Sequence, residues 1–330
     1  MFARSSKTRI IHSRPSFTLV ELLVVIAIIG IMAGMVLFTL ASAQQDALRN
    51  RTRGTIDKIN QVILERWEGY RYRSVKLPVP PEALQKKWIT ARQVARLRSL
   101  FLKDMMRMEM PDNYVDLAYT PTGLTLQLSN GAMLFQSSPG REYNMLRSYF
   151  QVGRPILETD AAATLIANPT QRWTTTYQAS ECLYAIVAHS TSGGGSALEG
   201  FVASEIGDVD GDGFPEFIDA WGEPIGWIRW PAAYDSELNR GYQLASPDAF
   251  DPLRTASEWT NVPPNKAPWT VVPLIISAGS DKQFGISQPD NVFASTQTVF
   301  IGGTDTPTVG KIIDADQTTD NVTNHDLLLE

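Results

Sequence analysis

Two patterns of apolar residues follow one another in the N-terminal part of the chain. Residues 22–40 contain no charged residue, which is typical of a helix that is apolar on every side. Beyond them, apolar residues recur at spacings of three and four, as on one face of an amphipathic helix: Ile56, Ile59, Ile63, Trp67 and Tyr70. Together the patterns predict one long helix, residues 17–74. Its first part, residues 17–40, would span about 36 Å, enough to cross a membrane core of about 30 Å.

The rest of the chain predicts a separate, mixed head. Three prolines at residues 78–81 end the long helix, because proline cannot continue it. Residues 75–190 predict a mainly helical insertion or part of the head. Residues 191–330 predict a β-containing C-terminal part, with short strands near residues 225–230 and 271–277. The fold class expected is therefore α+β, a long N-terminal helix followed by a head with a small antiparallel sheet and extra helices.

The charges set an orientation for the long helix. Residues 1–16 carry four basic residues and no acidic one, as expected of a leader peptide that stays in the cytoplasm. The head would then lie outside the cytoplasm, although Arg49, Arg51 and Arg53 weaken this charge bias without reversing it. The net charge of −6 over 330 residues argues against nucleic acid as a main partner, because phosphate binding needs clustered basic residues.

Glu21 lies at the start of the predicted membrane helix, where a carboxylate costs a few kcal/mol unless it has a partner. One such partner is the α-amino group that cleavage between Ser16 and Phe17 would create on a neighbouring subunit. This pair would neutralise both charges and set the register between subunits. Alternatively, Glu21 is tolerated because the helix dipole favours an acid in the first turn.

Residues 14–30, RPSFTLVELLVVIAIIG, closely resemble the N-terminal signal of type IV pilins and type II secretion pseudopilins. The resemblance implies a pilin-like fold, and cleavage and N-methylation at Phe17 by a prepilin peptidase/methyltransferase. It also implies the filament role of Glu21, and assembly in the inner membrane with copies of the chain and other pilin-like subunits. The family usually has Gly before the cleavage point, where this chain has Ser16.

A second processing signal competes with the first. Residues 41–43, Ala-Ser-Ala, match the pattern cut by ordinary signal peptidase, which would release a soluble protein starting at Gln44. The apolar segment is longer than an ordinary signal sequence, contains Glu21, and is followed by the amphipathic stripe. These features favour the pilin-like interpretation.

Residues 208–219, DVDGDGFPEFID, match an acidic calcium loop. Calcium prefers about six to eight oxygen ligands, and carboxylates on alternating residues can converge on one ion. Gly213 falls where such a loop turns sharply, whereas Pro215 is unusual there. The candidate calcium ligands are Asp208, Asp210, Asp212, the Phe214 carbonyl, Glu216 and Asp219. The alternative is an acidic surface turn held by Asx hydrogen bonds.

Two later segments resemble major pseudopilins. Residues 219–225, DAWGEPI, and residues 276–281, ISAGSD, are similar to two family segments in the same order. In that family a calcium ion holds the loop between the last strands. The resemblance adds Asp281 and Asp290 as secondary candidate ligands.

The sequence contains no recognisable catalytic motif. Its three histidines, His12, His189 and His325, lie neither in a metal-pair spacing nor beside a nucleophile motif, so we expect that the chain is not an enzyme. Six tryptophans between residues 173 and 269 could line a sugar-binding groove, but are more typical of a core or of subunit contacts. Cys182, the single cysteine, is expected to be buried, with pairing between chains as the alternative.

The function favoured is that of a structural, pseudopilin-like subunit of a type II secretion pseudopilus or a related type IV filament. The alternatives are a surface type IV pilin for adhesion or motility, and a secreted soluble protein that binds calcium or carbohydrate.

Overall fold

The computed structural model describes residues 18–75, 77, 79, 81–113, 116, 125–127, 133–135, 176–192, 194–231, 233–239, 250, 272–287 and 309–327. The chain divides into two compact units, Met1–Ala47 and Leu48–Glu330. The second unit is called the head below.

The long N-terminal helix is confirmed. Helix α1 runs from Leu19 to Tyr72, close to the bounds predicted from the sequence. The apolar stripe in its second part is also confirmed, because Ile56, Ile59 and Ile63 are fully buried in the head. Thr52 belongs to the same buried face, and its hydroxyl accepts a hydrogen bond of 3.0 Å from the backbone of Ala220.

Two helices follow α1 in the region from residue 75 onward. Helix α2, Pro81–Gln85, begins at the last of the three prolines. Proline is common at the first position of a helix, because the N–H that it lacks would have no partner there. Helix α3, Ala91–Glu109, starts with a capping box between Thr90 and Gln93. The buried face of α3 joins α1 in the main core.

Two further helices belong to the described part of the head. Helix α4 covers Gln178–Ala188, and the short helix α5 covers Asn324–Leu327. Cys182 on α4 is fully buried, as expected. Asn324 on α5 donates a buried hydrogen bond of 2.9 Å to Asn60 on α1. The core is therefore built around the second part of α1.

The strands are short and form antiparallel pairs. They are β1 Thr125–Gln127, β2 Met133–Phe135, β3 Thr191–Ser192, β4 Gly195–Ser196, β5 Ile206–Gly207, β6 Glu216–Phe217, β7 Gly226–Ile228, β8 Leu274–Ser277 and β9 Val322–Thr323. The pairs are β1–β2, β3–β4 and β5–β6, while β7, β8 and β9 form a three-stranded sheet with β8 in the centre. All four residues of β8 are buried. Short 3₁₀ helices cover Ala197–Gly200, Ala203–Glu205 and Gly279–Asp281.

A buried ionic cluster joins the end of α3 to the residue after β7. Arg229 is fully buried, and its guanidinium donates to Asp116 Oδ2 at 2.7 Å and to Asp112 Oδ1 at 3.3 Å. It also donates to the Met110 carbonyl at 2.7 Å, while Arg107 pairs with Asp116. Burial raises the pKa of Asp112 to about 7. For Asp116, burial is outweighed by the two guanidinium groups, and its pKa is lowered.

Candidate functional site

The first turn of α1 is held by a local polar arrangement that the sequence analysis missed. Glu21 Oε2 accepts hydrogen bonds from the Thr18 backbone at 2.9 Å and from the Thr18 hydroxyl at 2.8 Å. The Glu21 backbone donates in return to the Thr18 hydroxyl at 3.2 Å. This is a capping box, and its signature, Thr followed by Glu three residues later, is readable in the sequence. Glu21 therefore stabilises the helix start. Ser16 and Phe17 lie outside the described residues.

The first part of α1 exposes apolar side chains on all of its faces. Consecutive residues such as Leu22, Leu23 and Val24 are exposed, and Phe38 is 77% exposed. Within the described residues, α1 is the helix that is long and apolar enough to cross a membrane. An apolar surface that surrounds a helix needs lipid or other apolar helices to cover it, because water solvates it poorly.

The acidic loop connects two paired strands in the head. Strands β5 and β6 pair so that Gly207 lies opposite Glu216, and residues 208–215 form the connection. Gly211 and Gly213 have φ of 74° and 93°, which is the left-handed region that favours glycine. The sharp turn predicted at Gly213 is therefore present.

The loop carboxylates accept hydrogen bonds from the loop backbone. Asp208 accepts from Gly213 at 3.0 Å, Asp210 accepts from Asp212 at 3.2 Å, and Asp212 accepts from Phe214 at 2.9 Å. These are the Asx-type bonds expected of an acidic surface turn. They are also compatible with a cation, because each carboxylate oxygen has a second lone pair.

Four of the predicted ligands lie close together. One carboxylate oxygen from each of Asp208, Asp210 and Asp212 lies within 4.8 Å of the others. A second cluster with the same limit contains Asp210, Glu216 and Glu181. Asp210 belongs to both clusters, so one carboxylate connects the two groups. Glu181 was missed by the sequence analysis because it lies outside the loop, on α4.

Glu216 is a fully buried member of the second cluster. Its side chain is fully buried, and its Oε2 accepts a hydrogen bond of 3.0 Å from the Val209 backbone. Its Oε1 is buried and accepts no hydrogen bond from the described residues. Burial, together with the charges of Asp210 and Asp208, raises the pKa of Glu216 to about 7. A buried carboxylate among like charges is destabilised unless it binds a proton or a cation.

The structure gives Asp219 different contacts from the other candidate ligands. Asp219 is in neither carboxylate cluster. Its Oδ1 accepts from the backbones of Trp221 and Glu223 at 2.9 and 3.0 Å, and its Oδ2 accepts from the Ser277 hydroxyl at 2.6 Å. Burial raises the pKa of Asp219. These contacts join the turn after β6 to strand β8.

The Phe214 side chain is buried in the core next to the acidic loop. Of the secondary candidates, Asp281 also has a local contact, since its Oδ1 accepts from Gln283 at 2.8 Å. Asp290 lies outside the described residues. The cluster around Asp210 is therefore the strongest candidate for a cation site in the part of the head that the structure describes.

His325 lies in a buried polar contact. Its Nε2 is 3.1 Å from the Pro273 carbonyl, so Nε2 donates, and Nδ1 then accepts from the Ser236 hydroxyl at 2.7 Å. Burial lowers the pKa of His325 to about 4, and the ring is neutral at pH 7. These contacts fix α5 against the segment before β8.

Of the six tryptophans between residues 173 and 269, the three that the structure describes lie in the core or beside it. Trp227 is buried and donates from Nε1 to the Pro111 carbonyl at 3.0 Å, whereas Trp221 and Trp230 are half-buried beside the core. Their packing fits a role in the core. Trp173, Trp259 and Trp269 lie outside the described residues.

Comparison with known proteins identifies the N-terminal segment. The family model of the prokaryotic N-terminal methylation motif matches residues 13–37. The segment is a type IV pilin-like signal. No curated protein and no solved structure matches the chain. The resemblance of residues 219–225 and 276–281 to major pseudopilins therefore stays a prediction.

The type IV pilin-like signal supports several general statements. It supports a type IV pilin-like subunit, and it suggests a structural rather than a catalytic protein. It implies processing by a prepilin peptidase and assembly with other pilin subunits. Together with the apolar first part of α1, it supports anchoring in a membrane.

Proposed function

We propose that the chain is a pseudopilin-like structural subunit of a type II secretion pseudopilus or a related type IV filament. The observation that carries this proposal is the methylation motif at residues 13–37 at the start of a helix that is apolar on all faces. After cleavage, the first part of α1 would lie in the inner membrane and, on assembly, in the filament core. The head would lie outside the cytoplasm. The pseudopilus, rather than a surface pilus, is favoured by the resemblance of residues 219–225 and 276–281 to major pseudopilins.

The mature N-terminus tests the processing step. Mass spectrometry of the protein from membranes should find N-methylated Phe17 as the first residue. A mature protein starting at Gln44 would contradict the proposal and indicate a secreted soluble protein. A Phe17 terminus that depends on the host's prepilin peptidase would support it.

Glu21 is proposed to pair with the α-amino group of Phe17 on a neighbouring subunit. Because Glu21 also caps its own helix through Thr18, a simple truncation to Ala would remove two interactions at once. Glu21→Gln is a more specific test of the charge than Glu21→Ala, since Gln can keep the capping hydrogen bond but carries no charge.

We expect Glu21→Gln to be cleaved and inserted normally but to assemble poorly. The matched control is Thr18→Ala, which weakens the cap and keeps the charge, and should still assemble. Filament yield after shearing or crosslinking is the measurement. Normal filaments from Glu21→Gln would reject the charge pairing, while leaving the methylation result intact.

We also propose that calcium binds the acidic loop through Asp208, Asp210, Asp212 and Glu216. This proposal is supported by a set of hard oxygen donors and by the buried Glu216 Oε1, which accepts no hydrogen bond from the described residues. When bound, the ion would supply the positive charge that these carboxylates need, and would stiffen the β5–β6 connection.

Thermal unfolding of the full mature protein in detergent tests this site. Calcium should raise the melting temperature of the parent after treatment with chelator, because a ligand that binds only the folded state stabilises it. The increase should vanish in the double variant Asp210→Ala, Asp212→Ala. An unchanged melting temperature of the parent at millimolar calcium would reject the site.

A further inference from the structure

The two carboxylate clusters come from different parts of the head. Asp208, Asp210 and Asp212 lie in the β5–β6 connection, whereas Glu181 lies in the first turn of α4. Glu181 is 1% exposed and lies within 4.8 Å of Asp210 and Glu216, measured between carboxylate oxygens. The helix therefore brings an acid from outside the loop to the buried side of the loop carboxylates.

The position of Glu181 is fixed by the contacts that α4 makes with the rest of the head. Ser180, next to Glu181, donates from its hydroxyl to the Ile225 carbonyl at 2.7 Å, just before β7. At the other end, Ser190 accepts a hydrogen bond of 2.8 Å from Arg66 on α1. The body of α4 is buried in the main core. Glu181 consequently faces the loop from a helix held at both ends.

Bringing three carboxylates together on the buried side is unfavourable without a compensating cation. Glu181 and Glu216 are both almost fully buried, and their charges repel each other and that of Asp210. Glu216, a member of this cluster, also has a buried Oε1 that accepts no hydrogen bond from the described residues. A divalent ion among these oxygens would replace repulsion by attraction.

We propose that Glu181 is a calcium ligand supplied by α4, and that Asp219 is not a ligand but holds the turn after β6 to β8. The inference rests on the calcium site proposed above and adds a ligand that the loop pattern does not contain. Bound calcium would then join α4 to the β5–β6 connection, so that the site is complete only when the head is folded.

Glu181→Gln tests this assignment, because it removes the charge and keeps the shape of the side chain. The matched control is Glu199→Gln, at an exposed acid just after β4. Asp219→Asn tests the proposal that Asp219 is not a calcium ligand. Full-length mature protein in detergent is stripped with chelator and titrated with calcium by calorimetry. Terbium(III) luminescence lifetimes in H₂O and D₂O then count the water molecules bound to an ion at the same site.

We expect Glu181→Gln to weaken calcium binding by at least about tenfold, because each carboxylate ligand adds to affinity. Terbium bound to this variant should carry one more water molecule than in the parent, which a purely structural role would not produce. Glu199→Gln and Asp219→Asn should keep the parent's affinity and water count. Should Glu181→Gln misfold by circular dichroism, Glu181→Asp replaces it, with weaker binding and a higher water count expected.

The outcomes separate the two proposals. A parent that binds calcium with a Glu181→Gln variant of equal affinity and equal water count would overturn the role of Glu181 and leave the loop site standing. A parent that binds no calcium would overturn the loop site and this inference together. Loss of affinity in Asp219→Asn with an added water molecule would return Asp219 to the ligand set and contradict its exclusion.

Discussion

The two parts of α1 are apolar in different ways. From Leu19 to Leu40 the apolar side chains surround the helix and are exposed, whereas from Ile56 to Tyr70 they form one stripe that is buried by the head. The stripe is buried within the chain, because it belongs to the main core together with residues of α3 and α4. The surrounding surface is covered by none of the described residues, so it has to be covered by lipid or by other helices. One helix thus has a part that builds the head and a part that needs partners.

The same truncation made in both parts of α1 tests whether the two parts differ in this way. Ile63→Ala should destabilise the head by about 2–5 kcal/mol, because it leaves a cavity in a packed core. Ile28→Ala should change the unfolding free energy by less than about 0.5 kcal/mol, because Ile28 is exposed and outside the head. Denaturant unfolding in detergent, followed by tryptophan fluorescence, measures both. Equal effects would show that the two parts are not distinct.

The contact of α5 with α1 gives a second, pH-dependent test of the head-building part. His325 adjoins Asn324, which bonds to Asn60 on α1. The folded pKa of His325 is about 4, below the ordinary value of 6.5, so the unfolded chain binds a proton first as the pH falls. Stability from the neutral ring is therefore complete above pH 6.5 and is lost down to pH 4, by up to roughly 3 kcal/mol.

Comparison with His325→Gln isolates this contribution from the acidic groups that titrate in the same range. The parent should lose more stability between pH 6.5 and pH 4 than the variant does. His189→Gln, at an exposed histidine, is the matched control. Parallel pH profiles for the parent and His325→Gln would reject the buried, neutral state of His325.

An ion pair connects the end of α3 to Arg73, just after α1. Glu109 at the end of α3 accepts a hydrogen bond from the Tyr70 hydroxyl at 2.5 Å. It also accepts from the two terminal guanidinium nitrogens of Arg73, Nη1 and Nη2, at 2.6 and 2.7 Å. Glu109→Gln should cost about 1 kcal/mol, because it weakens charge-assisted hydrogen bonds in a partly exposed site. Glu68→Gln, at an exposed acid on α1, should have no measurable effect on denaturant unfolding. A loss in Glu68→Gln as large as that in Glu109→Gln would contradict this assignment.

The features predicted correctly from the sequence are those set by local periodicity. The stripe from Ile56 to Tyr70, the end of α1 before the prolines and the turn at Gly213 follow from spacing and backbone preference. The methylation motif could also be predicted from the sequence, because it consists of consecutive residues. The capping box of Thr18 and Glu21 can also be read from the sequence, as Thr followed by Glu three residues later.

Features made by distant residues could not be predicted in this way. Glu181 has the pattern of an ordinary acid in the first turn of a helix, and only the packing of α4 brings it to Asp210. In the loop, spacing predicted Asp219 as a ligand, and this stays a prediction. The contacts of its oxygens with Trp221, Glu223 and Ser277 could not be read from the spacing. No sequence pattern links Arg229 to Asp112 and Asp116, because their contact depends on how the head closes.

The cluster around Arg229 imposes an order on the closure of the head. The end of α3 offers carbonyls, and the residues after it offer the carboxylates of Asp112 and Asp116. Arg229, the buried cation that pairs with both carboxylates, is made much later in the chain. An incompletely synthesised chain therefore holds these groups hydrated and apart, since burying them alone would be costly. The head can complete this part of its core only after residue 229 has been synthesised.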